Sequence, residues 1–188
     1  MLYTKKGDSG TTKTLRQKKG ERISKASCQT EALGALDELN SFLGWVKTKS
    51  GQKGSTFFKI QGRTSKEIIH EVQENLFIIQ AEVAGADKVI KAGKITELEN
   101  YIDAAERVMP PIKTFFISGG TESGALFDIT RTFARRAERE VVRAIEAKEV
   151  FVNKHTLAYL NRLSSLCYAL ARFANFKEGI KEQSPKYK

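Results

Sequence analysis

The chain has 188 residues, of which 40% are hydrophobic and 29% charged, and its formal net charge is +10. This length suits one domain with a single core, and two cysteines are too few for a disulfide framework. The longest apolar run is far shorter than the roughly 20 residues of a membrane span, and no apolar stretch follows Met1 as in a secretory signal. We therefore expect a cytoplasmic protein with no membrane partner.

The positive charge by itself favours a nucleic acid as the partner. Many of the lysines, however, lie in segments 47–66, 88–94 and 177–188, whose composition is typical of solvated loops and a tail. The sequence contains no recognition motif in which aromatic residues alternate with these lysines. We expect no nucleic-acid partner. The alternative, a basic helical protein that binds nucleic acid, predicts binding that weakens steeply with salt.

Apolar residues recur at helical spacing in five segments, and alternating β-branched residues are sparse. The predicted helices span, in chain order, residues 28–47, 66–86, 96–108, 122–148 and 154–176. Thr96 and Glu99 form a capping-box pattern at the start of the third helix, and Pro110 and Pro111 end it. These elements predict an all-α fold, an antiparallel five-helix bundle within residues 27–178.

The fourth predicted helix is strongly amphipathic and rich in arginine. Its apolar residues recur at helical spacing, at Leu126, Ile129, Phe133, Ala137, Val141 and Ile145. Arg131, Arg135 and Arg139 follow one another at i, i+4 spacing and therefore form one cationic stripe. The arginine fork grips phosphate oxygens at two points, so the stripe favours a polyphosphate ligand. A solvated face held by local pairs such as Arg135–Glu138 explains this helix alone equally well.

The N-terminal segment 1–26 carries a second pattern typical of anion binding. Between Thr4 and Lys13 it combines two glycines, three threonines and three lysines. Successive backbone N–H groups of such a loop can form a concave phosphate site, although the spacing of a Walker A motif is absent. An exposed basic terminus without fixed structure is the alternative interpretation of this segment alone.

Four sequence blocks, taken in order, carry a resemblance to a known family. They are YTKKGDSGTT at 3–12, ALGALDELNSFLG at 32–44, FFISGGTESGALFDITRTFARRAEREVV at 115–142, and YLNRLS at 159–164 with ARFAN at 171–175. Together they resemble the PduO-type ATP:cob(I)alamin adenosyltransferases. The resemblance implies a five-helix bundle that forms a homotrimer, with active sites between adjacent subunits. It also implies transfer of the 5′-deoxyadenosyl group of ATP to the cobalt of cob(I)alamin, with release of tripolyphosphate.

The resemblance further implies roles for individual residues. The triphosphate would be surrounded by Thr4, Lys5, Lys6, Gly7, Thr11, Thr12, Lys13 and Lys25. The helical residues expected to lie across the nucleotide are Arg135, Arg136, Glu138, Arg139 and Asn161. The candidate catalytic residues are Arg139 at the polyphosphate, Arg135, and Asp37 with Arg131, which would form a salt bridge between subunits. Phe115 would lie near the corrinoid. Mg²⁺ would enter with ATP, held by phosphate oxygens and water rather than by protein side chains alone.

Several positions depart from the family pattern and keep a second function open. Asp128 stands where the family usually has histidine, and at i, i+3 it would compete with Asp37 for Arg131. Further departures are Leu33, Ser118 and Ser165. The alternative function is a catalytically weakened carrier or regulator that binds ATP and corrinoid. Expected partners are a cobalamin reductase and an adenosylcobalamin-dependent enzyme, and the basic tail 179–188 has no assigned role.

Overall fold

In a computed structural model that describes residues 3–49 and 58–187, the chain forms five helices and two short strand pairs. The helices are α1 (Cys28–Lys49), α2 (Ser65–Ala84), α3 (Ala92–Glu106), α4 (Glu122–Glu146) and α5 (Lys154–Lys177). The strands are β1 (Thr11–Thr12), β2 (Ile23–Ser24), β3 (Lys59–Ile60) and β4 (Arg63–Thr64). β1 pairs with β2 and β3 with β4, both antiparallel. The predicted all-α bundle is confirmed, and the strand pairs are additions that helical periodicity does not reveal.

The helices pack around one core that follows the predicted apolar stripes. α1 and α4 run antiparallel, since Lys49 Nζ lies 3.0 Å from Glu122 at one end and Arg136 pairs with Glu38 towards the other. α5 packs against both α3 and α4. The apolar residues at helical spacing in α1, α2 and α5 that are buried include Ala32, Leu36, Leu39, Leu43, Val46, Ile69, Val72, Leu76, Ile79, Val83, Leu160, Leu163, Leu166 and Leu170, while Leu157 of the same spacing is partly buried. Burial of this apolar set is the main force that holds the bundle together.

The helix boundaries correct one prediction. α3 begins at Ala92, with Lys91 as an N-cap that makes no side-chain hydrogen bond, so the predicted capping box at Thr96 is wrong. Ion pairs of Lys94 hold the first turn of α3 in place of a capping box, because its ammonium lies 2.8 Å from Glu97 and 3.2 Å from Glu71 of α2. The side-chain capping box belongs instead to α2, where Thr64 and Glu67 satisfy each other's backbone N–H groups.

α4 buries a narrower stripe than its apolar spacing predicts. Ala134 and Ala137 are fully buried, and these small side chains leave room for α1 and α5 to approach on either side. Ile129 shares the helical apolar spacing but is 43% exposed, so this spacing does not lie wholly within the core. Among the residues that the structure describes, no helix has the length and apolarity needed to cross a membrane.

Candidate active site

A polar cleft of about 430 Å³ lies where α4 and α5 meet at the surface. We call it the arginine cleft, and its lining residues are Arg135, Glu138, Arg139, Val142, Arg143, Glu146 and Asn161. Glu138 does not pair with Arg135, because its Oε1 accepts a hydrogen bond from Asn161 Nδ2 at 3.1 Å. Arg135 and Arg139 are exposed, and neither has a hydrogen-bond or ion-pair partner within residues 3–49 and 58–187. The cleft therefore presents two arginine forks that are open to an anion.

A larger cavity of about 620 Å³ adjoins this cleft, and Arg135 lines both. We call it the upper cavity, and its walls are formed by the connection 112–118, by side chains of α4 and α5, and by Glu182. Phe115 belongs to the wall and is 78% exposed. Its lining combines three aromatic side chains with six charged ones, so the cavity can accept a bulky ligand that carries both apolar and polar groups.

Four charged groups of the upper cavity form two ion pairs, Arg131 with Asp128 and Arg172 with Glu182. Arg131 Nε lies 3.4 Å from Asp128 Oδ1, which confirms the predicted i, i+3 contact, and its guanidinium lies 6.0 Å from the centre of the Tyr168 ring. Burial raises the pKa of the Tyr168 phenol, so the hydroxyl remains a neutral donor at physiological pH. Arg131 is therefore already engaged within its own chain.

The basic tail has a structural place that the sequence did not indicate. Arg172 of α5 is 6% exposed, and its Nε donates to Glu182 Oε2 of the tail at 2.9 Å. The same guanidinium donates to the carbonyl of Pro110 and lies 5.1 Å from the centre of the Phe116 ring. Gln183 accepts a further hydrogen bond, 2.8 Å long, from the backbone N–H of Ile117. Arg172 thus joins α5, the wall 110–118 and the tail at the upper cavity.

The wall reaches α4 through a double-glycine turn that Asn175 holds in place. Gly119 and Gly120 have φ values of 124° and 104°, a region in which side chains other than glycine are strained. Asn175 Oδ1 accepts bonds from the Thr121 amide at 2.9 Å and from its hydroxyl at 3.0 Å, and Nδ2 donates to the Gly119 carbonyl at 2.9 Å. Thr121 in turn caps α4. The turn thereby fixes the position of the end of the wall relative to α4.

The N-terminal segment forms a closed loop next to the start of α1. The Lys25 amide donates to the Gly10 carbonyl at 2.9 Å, and the Gly10 amide donates to the Gly7 carbonyl at 3.1 Å. A Cβ atom on Gly7 would lie 3.0 Å from Lys25 Nζ, so the missing side chain lets this ammonium approach the backbone. The other predicted phosphate residues that are exposed on the loop are Thr4, Lys5, Lys6 and Lys13, while Thr11 and Thr12 are half-buried. In the described part of the chain, no hydrogen bond or ion pair joins this loop to the arginine cleft.

Two predicted residues lie on the face that α1 and α4 share. Arg136 turns away from the arginine cleft and pairs with Glu38 across the two helices. Asp37 is exposed and, among the described residues, has no hydrogen-bond or ion-pair partner. A single chain therefore does not join Asp37 to Arg131. Nor do the described residues contain a group of three acidic, histidine or cysteine side chains able to hold a metal ion.

The same α1–α4 face exposes a row of apolar side chains. The Phe42 ring lies 5.4 Å from that of Trp45 and 4.9 Å from that of Phe133, with edge-on geometry in both pairs. Trp45 is 50% and Ile129 43% exposed. Large apolar side chains that cluster on a surface in this way mark a site of association with another molecule.

Comparison with known proteins identifies close relatives over almost the entire chain. Residues 2–174 match the sequence model of the family described as cobalamin adenosyltransferase. A corrinoid adenosyltransferase of Bacillus subtilis is 36% identical over 180 residues, which cover 95% of this chain and 89% of that protein. Corrinoid adenosyltransferase MMAB of Homo sapiens is 33% identical over 192 residues, covering 97% of this chain and 72% of that protein.

The fold has a solved counterpart as well. The structure of a variant PduO-type ATP:corrinoid adenosyltransferase from Lactobacillus reuteri, complexed with cobalamin and ATP, superposes with a TM-score of 0.86. The two sequences are 29% identical, and the match covers 100% of this chain and 97% of that one. At this identity and coverage the likeness extends beyond the general arrangement of helices.

Proposed function

This chain belongs to the cobalamin adenosyltransferase family, and from that premise we propose that it transfers the 5′-deoxyadenosyl group of ATP to the cobalt of cob(I)alamin. The products are adenosylcobalamin and tripolyphosphate. The observation that carries the proposal is that the arginine cleft and the upper cavity meet at Arg135. A polyphosphate in the cleft and a corrinoid in the cavity would lie side by side, as direct transfer between them requires.

The reaction needs positioning and charge stabilisation rather than a protein nucleophile. The electron pair of cobalt(I) forms the bond to the 5′ carbon of ATP, while the bond from that carbon to the phosphate oxygen breaks and its electrons leave with the triphosphate. Negative charge on the leaving group grows in the transition state, so arginine forks placed there stabilise the transition state more than the bound substrate. Arg135 and Arg139 are free to do this, since neither has a partner among the described residues.

Thiol chemistry has no part in the proposed step. Cys167 is buried in the core, and burial raises the pKa of its thiol to about 12. At neutral pH the group is therefore protonated and, as a thiol inside the bundle, is a poor nucleophile.

We assign the nucleotide to residues from both motifs. Arg139 and Arg135 would grip the polyphosphate, and Asn161 with Glu138 would hold the nucleoside from the side of α5. The loop residues Thr4, Lys5, Lys6, Gly7, Thr11, Thr12, Lys13 and Lys25 would surround the triphosphate. Mg²⁺ would enter with ATP and be held by phosphate oxygens and water. Phe115, from the wall of the upper cavity, would contact the corrinoid.

We propose a homotrimer whose active sites lie between subunits, and two observations support it. The N-terminal loop and the arginine cleft are not bonded to each other within one described chain, so a neighbouring subunit can supply the loop. The exposed apolar row on α1 and α4 offers a surface for that neighbour, and Asp37 on the same side is available to Arg131 of an adjacent copy. Arg136 lies on this face too, and its contact with ATP stays a prediction.

The partners and compartment follow from the chemistry of the substrates. Cob(I)alamin must be produced by a reductase, and adenosylcobalamin must pass to an enzyme that consumes it. The proposed compartment is the cytoplasm, where ATP and reductants are available together.

The test is an anaerobic absorbance assay with the purified protein, chemically reduced cobalamin and Mg-ATP. We expect the cob(I)alamin spectrum to convert to that of adenosylcobalamin at a rate that depends on the protein concentration. Calorimetric binding of ATP without conversion would contradict the proposal and support the carrier or regulator instead.

The shared site is tested by mixing two inactive variants, one defective in Arg139 and the other in Lys25. Mixed trimers should recover part of the activity, because at some interfaces the intact N-terminal loop of the Arg139 variant meets the intact arginine cleft of the Lys25 variant. A single-chain site predicts no recovery.

A further inference from the structure

We infer that Arg22 is a positioning residue for the nucleotide, which it serves by fixing Thr11 so that the threonine hydroxyl presents its hydrogen to a phosphate oxygen. The inference rests on the proposed function, since it takes the N-terminal loop as the holder of the triphosphate. Arg22 lies outside the block that carries the resemblance in this loop and is one of 32 lysines and arginines in the chain. Its two hydrogen bonds to Thr11 are what distinguish it from the other lysines and arginines.

Both contacts of Arg22 go to the same residue. Its Nε donates to Thr11 Oγ1 at 2.8 Å, and its Nη2 donates to the Thr11 carbonyl oxygen, also at 2.8 Å. Two parallel bonds from one planar fork fix the orientation of Thr11 about both its backbone and its side chain. A lysine at this position would keep the charge but could not make the two-point contact.

The loop depends on such a clamp because little else holds it. β1 and β2 pair over two residues each, with Thr11 opposite Ser24 and Thr12 opposite Ile23. A ladder this short is marginal, and the contacts around it are exposed to water. A Cβ on Gly7 would lie 3.4 Å from the Thr11 carbonyl oxygen and 3.0 Å from Lys25 Nζ, so the clamped residue lies close to Gly7 and the Lys25 ammonium.

The clamp determines what Thr11 can offer to a ligand. A threonine hydroxyl has one hydrogen to donate and two lone pairs to accept with. Because Arg22 Nε donates to one lone pair of Thr11 Oγ1, the hydrogen of the Thr11 hydroxyl remains available for another acceptor. Within the described chain the nearby oxygen is Ser9 Oγ at 3.3 Å, a long contact that a phosphate oxygen can replace. A hydroxyl that accepts a bond from a cation is also the better donor, since the bonds polarise one another.

The experiment is a steady-state comparison of Arg22→Lys with the wild type, in which the KM for ATP, the KM for cob(I)alamin and kcat are measured separately. We expect the KM for ATP to rise about tenfold, the effect of losing one good charged hydrogen bond, while the other two constants and the melting temperature stay unchanged. Thr11→Val removes the hydroxyl and should resemble Arg22→Lys. Lys19→Ala removes a neighbouring charge without a described contact and serves as the control for charge.

The double variant decides whether Arg22 acts through Thr11. If it does, Arg22→Lys combined with Thr11→Val should raise the KM for ATP no further than Thr11→Val alone. Multiplied effects of about a hundredfold would overturn the inference, because they would mean two independent contacts. A wild-type KM in Arg22→Lys would also overturn it, as would a fall in melting temperature with both KM values raised together. An inactive wild type would count against the proposed reaction instead, so the two failures are distinguishable.

Discussion

Replacing Gly124 with alanine should destabilise the protein, although alanine is ordinarily the better residue inside a helix. A Cβ atom on Gly124 would lie 2.3 Å from Asn175 Oδ1 and 2.9 Å from its Cγ. No real Cβ tolerates such a distance, so the Asn175 amide must move. That amide makes the three hydrogen bonds that hold Thr121 and the Gly119 carbonyl, and hence the turn between the cavity wall and α4.

The size of the effect follows from these bonds. Each neutral hydrogen bond contributes about 1 kcal/mol to stability, so displacing three costs about 3 kcal/mol. The gain from replacing glycine by alanine in a helix offsets about 1 kcal/mol. The net loss of about 2 kcal/mol should lower the melting temperature by about 4–8 °C for a chain of this length. The wall 112–118 leads directly into this turn, so displacing the turn should also displace the wall. The KM for the corrinoid should therefore rise while the KM for ATP stays the same.

Urea unfolding followed by circular dichroism measures the free energy directly, and Gly93→Ala is the matched control. A Cβ on Gly93, in the first turn of α3, meets no atom within 4 Å, so that variant should be as stable as the wild type or slightly more so. In an Asn175→Ala background the added methyl group should cost much less, because the main obstacle is gone and only the Thr121 Oγ1 contact at 3.0 Å remains. If Gly124→Ala equals Gly93→Ala in stability, the account of the Asn175 turn is wrong.

Three further outcomes are expected. Arg139→Ala should reduce kcat at least a hundredfold, because it removes a cation at the leaving group, and should leave the helix content unchanged. The exposed Arg107→Ala is its control, and a nearly normal kcat for Arg139→Ala would refute the polyphosphate role. Asp37→Asn should weaken the proposed trimer or lower the turnover, which sedimentation and kinetics measure, and two unchanged results would exclude the proposed bridge to Arg131. Iodoacetamide at pH 8 should spare Cys167 in the native protein, since its pKa of about 12 leaves almost no thiolate, and should modify it after denaturation. Rapid native modification of Cys167, detected by mass spectrometry, would contradict its burial.

The helices were predictable because the signals that specify them are local. Apolar spacing along α1, α2 and α5 is present in the sequence and matches the buried faces. The pairing of Asp128 with Arg131 was also predictable, as an i, i+3 contact within one helix. The start of α3 was not, because the ion pair between Lys94 and Glu71 reaches across to α2 and replaces a local cap.

The surroundings of the candidate site were less accessible to sequence reasoning. Arg135 and Arg139 of the cleft were identified from the stripe and the resemblance. That Arg135 also borders the upper cavity could not be predicted, because it depends on how α4 meets α5. The contact of Arg172 with Glu182 joins a helix to a lysine-rich tail that has no recognisable pattern. The clamp of Arg22 on Thr11 joins two residues that are 11 positions apart in the sequence. Contacts of this kind follow from tertiary packing, and a single sequence does not encode their geometry in any periodic signal.

The central claim, direct transfer from ATP to cobalt with departure of an intact triphosphate, is tested most directly by the phosphate products of a single anaerobic turnover. Protein in excess over cob(I)alamin is mixed with Mg-ATP and the reaction is quenched. The phosphate products are then separated by ion chromatography, and the adenosylcobalamin in the same sample is quantified. We predict one tripolyphosphate for each adenosylcobalamin formed, because the bond at the 5′ carbon is the only one that breaks. Orthophosphate and pyrophosphate in its place, formed as fast as the cobalamin product, would contradict the account.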